Sequence, residues 1–238
     1  MGKKSRRKRE RRASPPPPVG KQPSSWRQRR QLIVLAGAVV AAGGLAAGLG
    51  IALSSSSRAG VKLAPLSSLP ANIPGLDVDE PPWPAEHTRL GSRLDALGFP
   101  RLQMEAEVLH IHQHLDIYVN GHHATVSALI GIDAQENFIS PVHTHDATGI
   151  IHIESPVNYD YTLGQFFDVW GVRFTPRCIG GLCAGAGRQL RVYVNGKLVV
   201  GDLRLIVLQS HQEIVVAYGT PAQLPDPVPS RYDFPAGL

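Results

Sequence analysis

The stretch from Val108 to Gly121, VLHIHQHLDIYVNG, decides the fold. Ile111, Leu115, Ile117 and Val119 fall on one side of a two-residue period, and His110, His112, His114, Asp116 and Tyr118 fall on the other. That alternation is the signature of a β-strand with one face in a core. Asn120-Gly121 then supplies a two-residue hairpin turn, so the chain doubles back through His122-His123-Ala124-Thr125-Val126.

Outward from this hairpin the same punctuation returns in Leu190 to Gly196, LRVYVNG, seventy-five residues on. No other positions align at that offset, so two independent hairpins fit better than a duplication. Ile150 to Glu154 reads as another strand and Glu213 to Tyr218 as a closing one. Leu90, Leu94 and Leu97 lie at helical spacing ahead of Gly98 and Pro100, which are stop signals. Thr162-Leu163-Gly164-Gln165 has the form of a capping box, followed by Phe166, Phe167, Val169 and Trp170 before Gly171. The expected fold class is therefore α+β: a mainly antiparallel β domain with two short helices, preceded by one transmembrane helix.

The transmembrane expectation comes from Leu32 to Leu53, twenty-two consecutive uncharged residues, long enough at ~1.5 Å per residue to cross a bilayer core of ~30 Å. A cleaved secretory signal and a twin-arginine signal around Arg29-Arg30 are the alternatives; all three put the following domain on the far side of the membrane. Residues 1–31 carry twelve Lys/Arg against Glu10 alone, and the remainder of the chain carries twelve basic and eighteen acidic residues. The positive charge is thus confined to a tail that stays cytoplasmic and contacts anionic lipid. A folded part with net negative charge excludes nucleic acid as its partner, and protein partners are not legible. The expected division is a basic tail (1–31), a membrane helix (32–53), a Pro/Ser-rich stalk (54–85), an extracytoplasmic His-rich domain (86–225) and a C-terminal tail (226–238).

Eight of the ten histidines fall between His110 and His152, and that clustering points to chemistry. Alternate side chains on a strand stand roughly 6.6 Å apart, close enough for two imidazoles to lean onto one ion at bonds of ~2 Å. His110 and His114 are roughly 13 Å apart by the same rise, so one ion takes two of the three strand histidines, with His112 in either pair. Pro141-Val142-His143-Thr144-His145-Asp146 offers a second alternate pair, and His152 with Glu154 shares a face on the next strand. The candidate metal ligands are therefore His110, His112, His114, His143, His145 and His152. Asp146, Glu154 and Asp116 are candidates for orienting them by hydrogen bonds. Imidazoles without thiolates suit copper or zinc, and iron if Glu154 or Asp146 joins as a ligand. His122 and His123 follow a turn, and His87 and His211 stand alone; these are read as ordinary surface or core histidines. Cys178 and Cys183 are the only cysteines, and in an oxidising compartment their first expectation is a disulfide.

Three motifs occur in order: HIHQHLDIYVNG from His110, FISPVHTHDATGIIHIESP from Phe138 and YTLGQFFDVWG from Tyr161. Together they resemble an uncharacterised family of membrane-anchored or secreted prokaryotic proteins, over about residues 86–220. The resemblance implies a location and a shared His-rich site, and no activity.

Three functions compete on these residues. The leading one is a membrane-anchored, extracytoplasmic domain that binds one transition metal through His112, His143 and His145, with His110, His114 or His152 completing the set. The second is a metalloenzyme whose ion keeps an open position, with Glu154 or Asp146 as general base. The third is a metal-free structural or partner-binding module.

Overall fold

The computed structural model describes residues 61–65, 70 and 72–238. Helix α1 (Leu90–Leu97) ends in a left-handed cap at Gly98, as the Leu spacing and stop residues require. It is followed by β1 (Leu109–Val119), β2 (His122–Ala124), β3 (Ile132–Asp133), β4 (Phe138–Ile139), β5 (Val142–His143) and β6 (Ile150–Ser155). Helix α2 (Leu163–Trp170) begins with the Thr162–Gln165 capping box, both halves of which are formed. Then come β7 (Cys178–Ile179), β8 (Leu182–Cys183), β9 (Gln189–Val194), β10 (Lys197–Leu198) and β11 (Glu213–Gly219), with short 3-10 turns at Leu203–Leu205 and Pro221–Gln223.

The main sheet has seven strands in the order β10-β9-β11-β1-β6-β5, with β2 pairing β1 beside that path. Its long strand β1 pairs antiparallel with β6 along its first half and with β2 along its second half. On the opposite edge β1 runs parallel to β11, and the other pairings of the sheet are antiparallel. Both hairpin turns have their Asn and Gly at positive φ: Asn120 at 52° and Gly121 at 86°, Asn195 at 50° and Gly196 at 73°. A residue with a Cβ beyond Asn strains there, which is why the Asn-Gly pair is informative.

One face of the sheet builds the core. Leu115 and Ile117 of β1 lie beside Ile214 and Val216 of β11, and these beside Val194 and Val192 of β9. Ile151 and Ile153 of β6 and Val142 of β5 continue the layer, all of them buried. Helix α2 closes it: every residue from Leu163 to Trp170 is buried, and the Phe167 ring stacks on Phe174 at 4.2 Å. Asp168 in α2 is fully buried and accepts two hydrogen bonds from the Arg204 guanidinium, at 3.1 and 2.7 Å. The second face carries the histidines.

Two expectations change. The fold class included a transmembrane helix before the domain; that part is corrected, because among the described residues no helix is long and apolar enough to cross a membrane. Residues 32–53 themselves, with the basic tail, lie outside the described residues. The protein that is described is mainly β sheet with two α-helices.

The other change concerns the described residues of the proline-rich segment before Glu86, 61–65, 70 and 72–85. It is extended, as its prolines dictate, but it does not stand off as a spacer. Trp83 is 1% exposed, packs edge-on against Trp170 at 6.2 Å, and its backbone carbonyl accepts the Trp170 indole N–H at 3.2 Å. Asp77 forms a bridge with Val172, and Leu63 with Ile206. The compact unit begins well upstream of Glu86. The C-terminal segment beyond 225 is likewise packed: Tyr232 stacks on His114 at 3.8 Å, and Phe234 meets His211 edge-on at 4.9 Å.

Candidate metal centre

Register places the histidines. His112 of β1 lies directly opposite His152 of β6, which lies directly opposite His143 of β5. Three imidazoles therefore stand in one row across three adjacent strands, because cross-strand partners on one face have their Cβ atoms about 4.5–5.5 Å apart. In the next row His110 faces Glu154. His145, just past β5, turns back over this surface so that its ring lies 4.8 Å from His143 and 4.5 Å from His152.

The result is one compact group, His143, His145, His152 and Glu154, whose potential ligand atoms all lie within 4.8 Å of one another. The Nε2 atoms of His143 and His145 are 3.2 Å apart. Two nitrogens bound to one tetrahedral ion at 2.0–2.1 Å are separated by about 3.3 Å, so this pair is already at the spacing of a shared cation. Glu154 Oε2 is 3.9 Å from His143 Nε2, and Glu154 Oε1 is 3.2 Å from His152 Nδ1. Its Oε2 is buried without a hydrogen-bond partner, a costly state for a carboxylate oxygen unless a cation serves it.

The protonation states favour ligation. His143 is fully buried, and its Nδ1–H donates to the Ser140 carbonyl at 3.0 Å, which leaves Nε2 with a free lone pair. Burial pushes this imidazole down to about 3, with Glu154 pulling it up and His145 and His152 pushing it further down. His112 is pushed down to about 4, first by burial and then by His152 and His110. At Glu154 burial acts upward, but the His152 hydrogen bond and the neighbouring His143 prevail, so the net shift is downward and the group is a carboxylate.

A second group, His110, His112 and Glu154, adjoins the first. His112 Nε2 is buried there without a hydrogen-bond partner. The structure does not put His112 with His143 and His145 in a single donor set, as the sequence reading had it; His152 and Glu154 take that place. His114 stands apart from both, in a third group with Asp116 and Glu213 whose potential ligand atoms also lie within 4.8 Å of one another. Both ring nitrogens of His114 face acceptors, Nδ1 at 2.8 Å from Glu213 Oε2 and Nε2 at 2.9 Å from the Thr148 carbonyl. Two acceptors suit a protonated imidazole, so an ion in this third group would have to displace those bonds. Burial pushes His114 down, but the hydrogen bond and charge of Glu213 outweigh it, and the net shift is upward. Asp146 stays outside the group: it is exposed and holds the Thr148 backbone N–H at 2.9 Å in its own turn. Asp116 bonds His123 at 2.9 Å. Cys178 and Cys183 form a disulfide that closes the β7–β8 hairpin.

Two residues at the site were not singled out from sequence. Glu213 was visible as the one acid opening an otherwise apolar strand. Glu105, 3.4 Å from His145 Nε2 through its Oε1, sits in an irregular segment with no periodicity to mark it.

These shifts set a sign for stability against pH. His112 and His143 have folded values below the ordinary ~6.5, so the unfolded chain takes up protons first as pH falls. Each costs up to about 1.4 kcal/mol per pH unit below 6.5 until its own folded value is reached. His114 acts in the opposite sense, its contribution being complete below 6.5 and lost as pH rises through its raised value. Since His114 no longer varies below 6.5, the histidine contribution to the stability of metal-free protein falls between pH 6.5 and 4. Urea unfolding of wild type and of His112→Ala in the presence of a chelator measures this; a pH profile that is the same in both would contradict the lowered value of His112.

No family model, curated protein or solved structure matches this chain.

Proposed function

We propose that the domain binds a transition-metal ion, copper or zinc and with iron admitted by the carboxylate, through His143, His145, His152 and Glu154. The single observation that carries this reading is the convergence of four donor groups within 4.8 Å, with a buried and unpartnered carboxylate oxygen among them. Three imidazoles and one carboxylate match the preferences of these ions, and Ser140 behind His143 fixes its ring in the ligating tautomer. The set is deep on one side and reachable on the other, since the His143 side chain is fully buried and that of His145 is 42% exposed. An ion can therefore enter without unfolding the sheet.

Binding fits better than hydrolysis at this set. Glu154, the expected general base, is itself a donor, and Asp146 is committed to Thr148. The Cys178–Cys183 disulfide supports an extracytoplasmic location, since such bonds persist in oxidising compartments.

The test is elemental analysis of the full chain, equilibrated with zinc or with copper and then dialysed. Wild type is expected to retain at least one ion per chain, and the His143→Ala, His145→Ala double variant to lose one equivalent. Wild type without stoichiometric metal in either equilibration would end the reading.

A further inference from the structure

We infer that the surface is a two-ion site in which Glu154 bridges a first cation held by His143, His145 and His152 and a second held by His110 and His112. The inference rests on the metal-binding reading of the first set and adds a separate set of donors to it. Its basis is the placement of Glu154. This residue belongs to both donor groups, and its two oxygens have different nearest imidazoles. Oε2 is turned to His143 at 3.9 Å, whereas Oε1 lies 3.5 Å from His110 Nε2 and 3.2 Å from His152 Nδ1. A carboxylate divided in this way matches the bridging mode of paired metal sites, whose ions stand about 3.5–4 Å apart.

The independent observation is His112. It is 5% exposed, and its Nε2 is buried with no hydrogen-bond partner. Its ring lies 4.9 Å from that of His110 and 4.6 Å from that of His152. A neutral buried imidazole ordinarily finds a donor or acceptor for both nitrogens; here the side chain is aimed into the His110–Glu154 group instead. Three protein donors leave the second ion short of a full set, and the His110 side chain is 42% exposed, so solvent or a small anionic ligand can complete its coordination.

Zinc and copper(II) serve as probes on the full chain. Equilibrium dialysis with zinc is expected to give two ions per wild-type chain and one for His112→Ala. His110→Ala, at a surface position where folding is not at stake, should also give one. Copper-loaded wild type should show the half-field electron paramagnetic resonance signal of a coupled pair, and either variant should lose it. One ion per wild-type chain, unchanged in both variants and magnetically isolated, would overturn the two-ion site while leaving the first set intact. No ion in wild type would overturn the metal-binding reading and this inference together.

Discussion

Zinc at a thousand times its dissociation constant is expected to stabilise the wild-type chain by about 4 kcal/mol. The His143→Ala, His145→Ala double variant should keep only the smaller increment that His110 and His112 supply with Glu154. The reason is linkage: the unfolded chain separates the donors, so an ion held by β5, β6 and the turn after β5 binds only the folded sheet. Comparing each protein with and without zinc cancels the cost of the cavity left at buried His143. Thermal or urea unfolding across a zinc series measures the increment. Equal increments in wild type and double variant would place the ion elsewhere.

Trp83→Ala is expected to cost about 3–5 kcal/mol, the usual range for removing a large buried aromatic. A chain shortened to begin at Glu86 should be at least as unstable. Trp83 fills the space over Trp170, and its indole N–H is satisfied by the Asp79 carbonyl at 3.0 Å. Ser127 and Trp170 both donate to its backbone carbonyl, at 2.6 and 3.2 Å. Loss of the segment therefore opens a cavity over α2 and also leaves buried donors unmatched. α2 lies on the core face beneath the histidine surface, so zinc affinity should fall with stability. Urea unfolding of the three chains tests this; a Glu86 start as stable as the full chain would mean that the upstream segment is dispensable.

The contrast between β1 and Trp83 shows what a sequence can and cannot carry. Alternation in β1 is a local property, and so are the positive φ values at Asn120-Gly121 and the capping box at Thr162; each was readable because its cause lies within a few residues. That His110, His112 and His114 share a face followed from the same period. Which partners they meet did not, since periodicity is silent about neighbours. The parallel strand β11 sets Glu213 beside His114, in a group of its own with Asp116, and the register of β6 and β5 aligns His152 and His143 with His112. Composition misled over the described residues 72–85 for a physical reason. Prolines specify an extended backbone, but an extended backbone can still lay a tryptophan into a core, and only tertiary packing decides between spacer and strap. Tyr232 over His114 repeats the lesson at the other end of the chain.

The most direct measurement is anomalous diffraction at the zinc edge from crystals of the zinc-loaded chain. The account predicts a peak at ~2.0–2.1 Å from the Nε2 atoms of His143 and His145, with His152 and Glu154 completing the coordination. The absence of a peak at His143 and His145 in crystals equilibrated with excess zinc would contradict it, whatever other residues hold an ion.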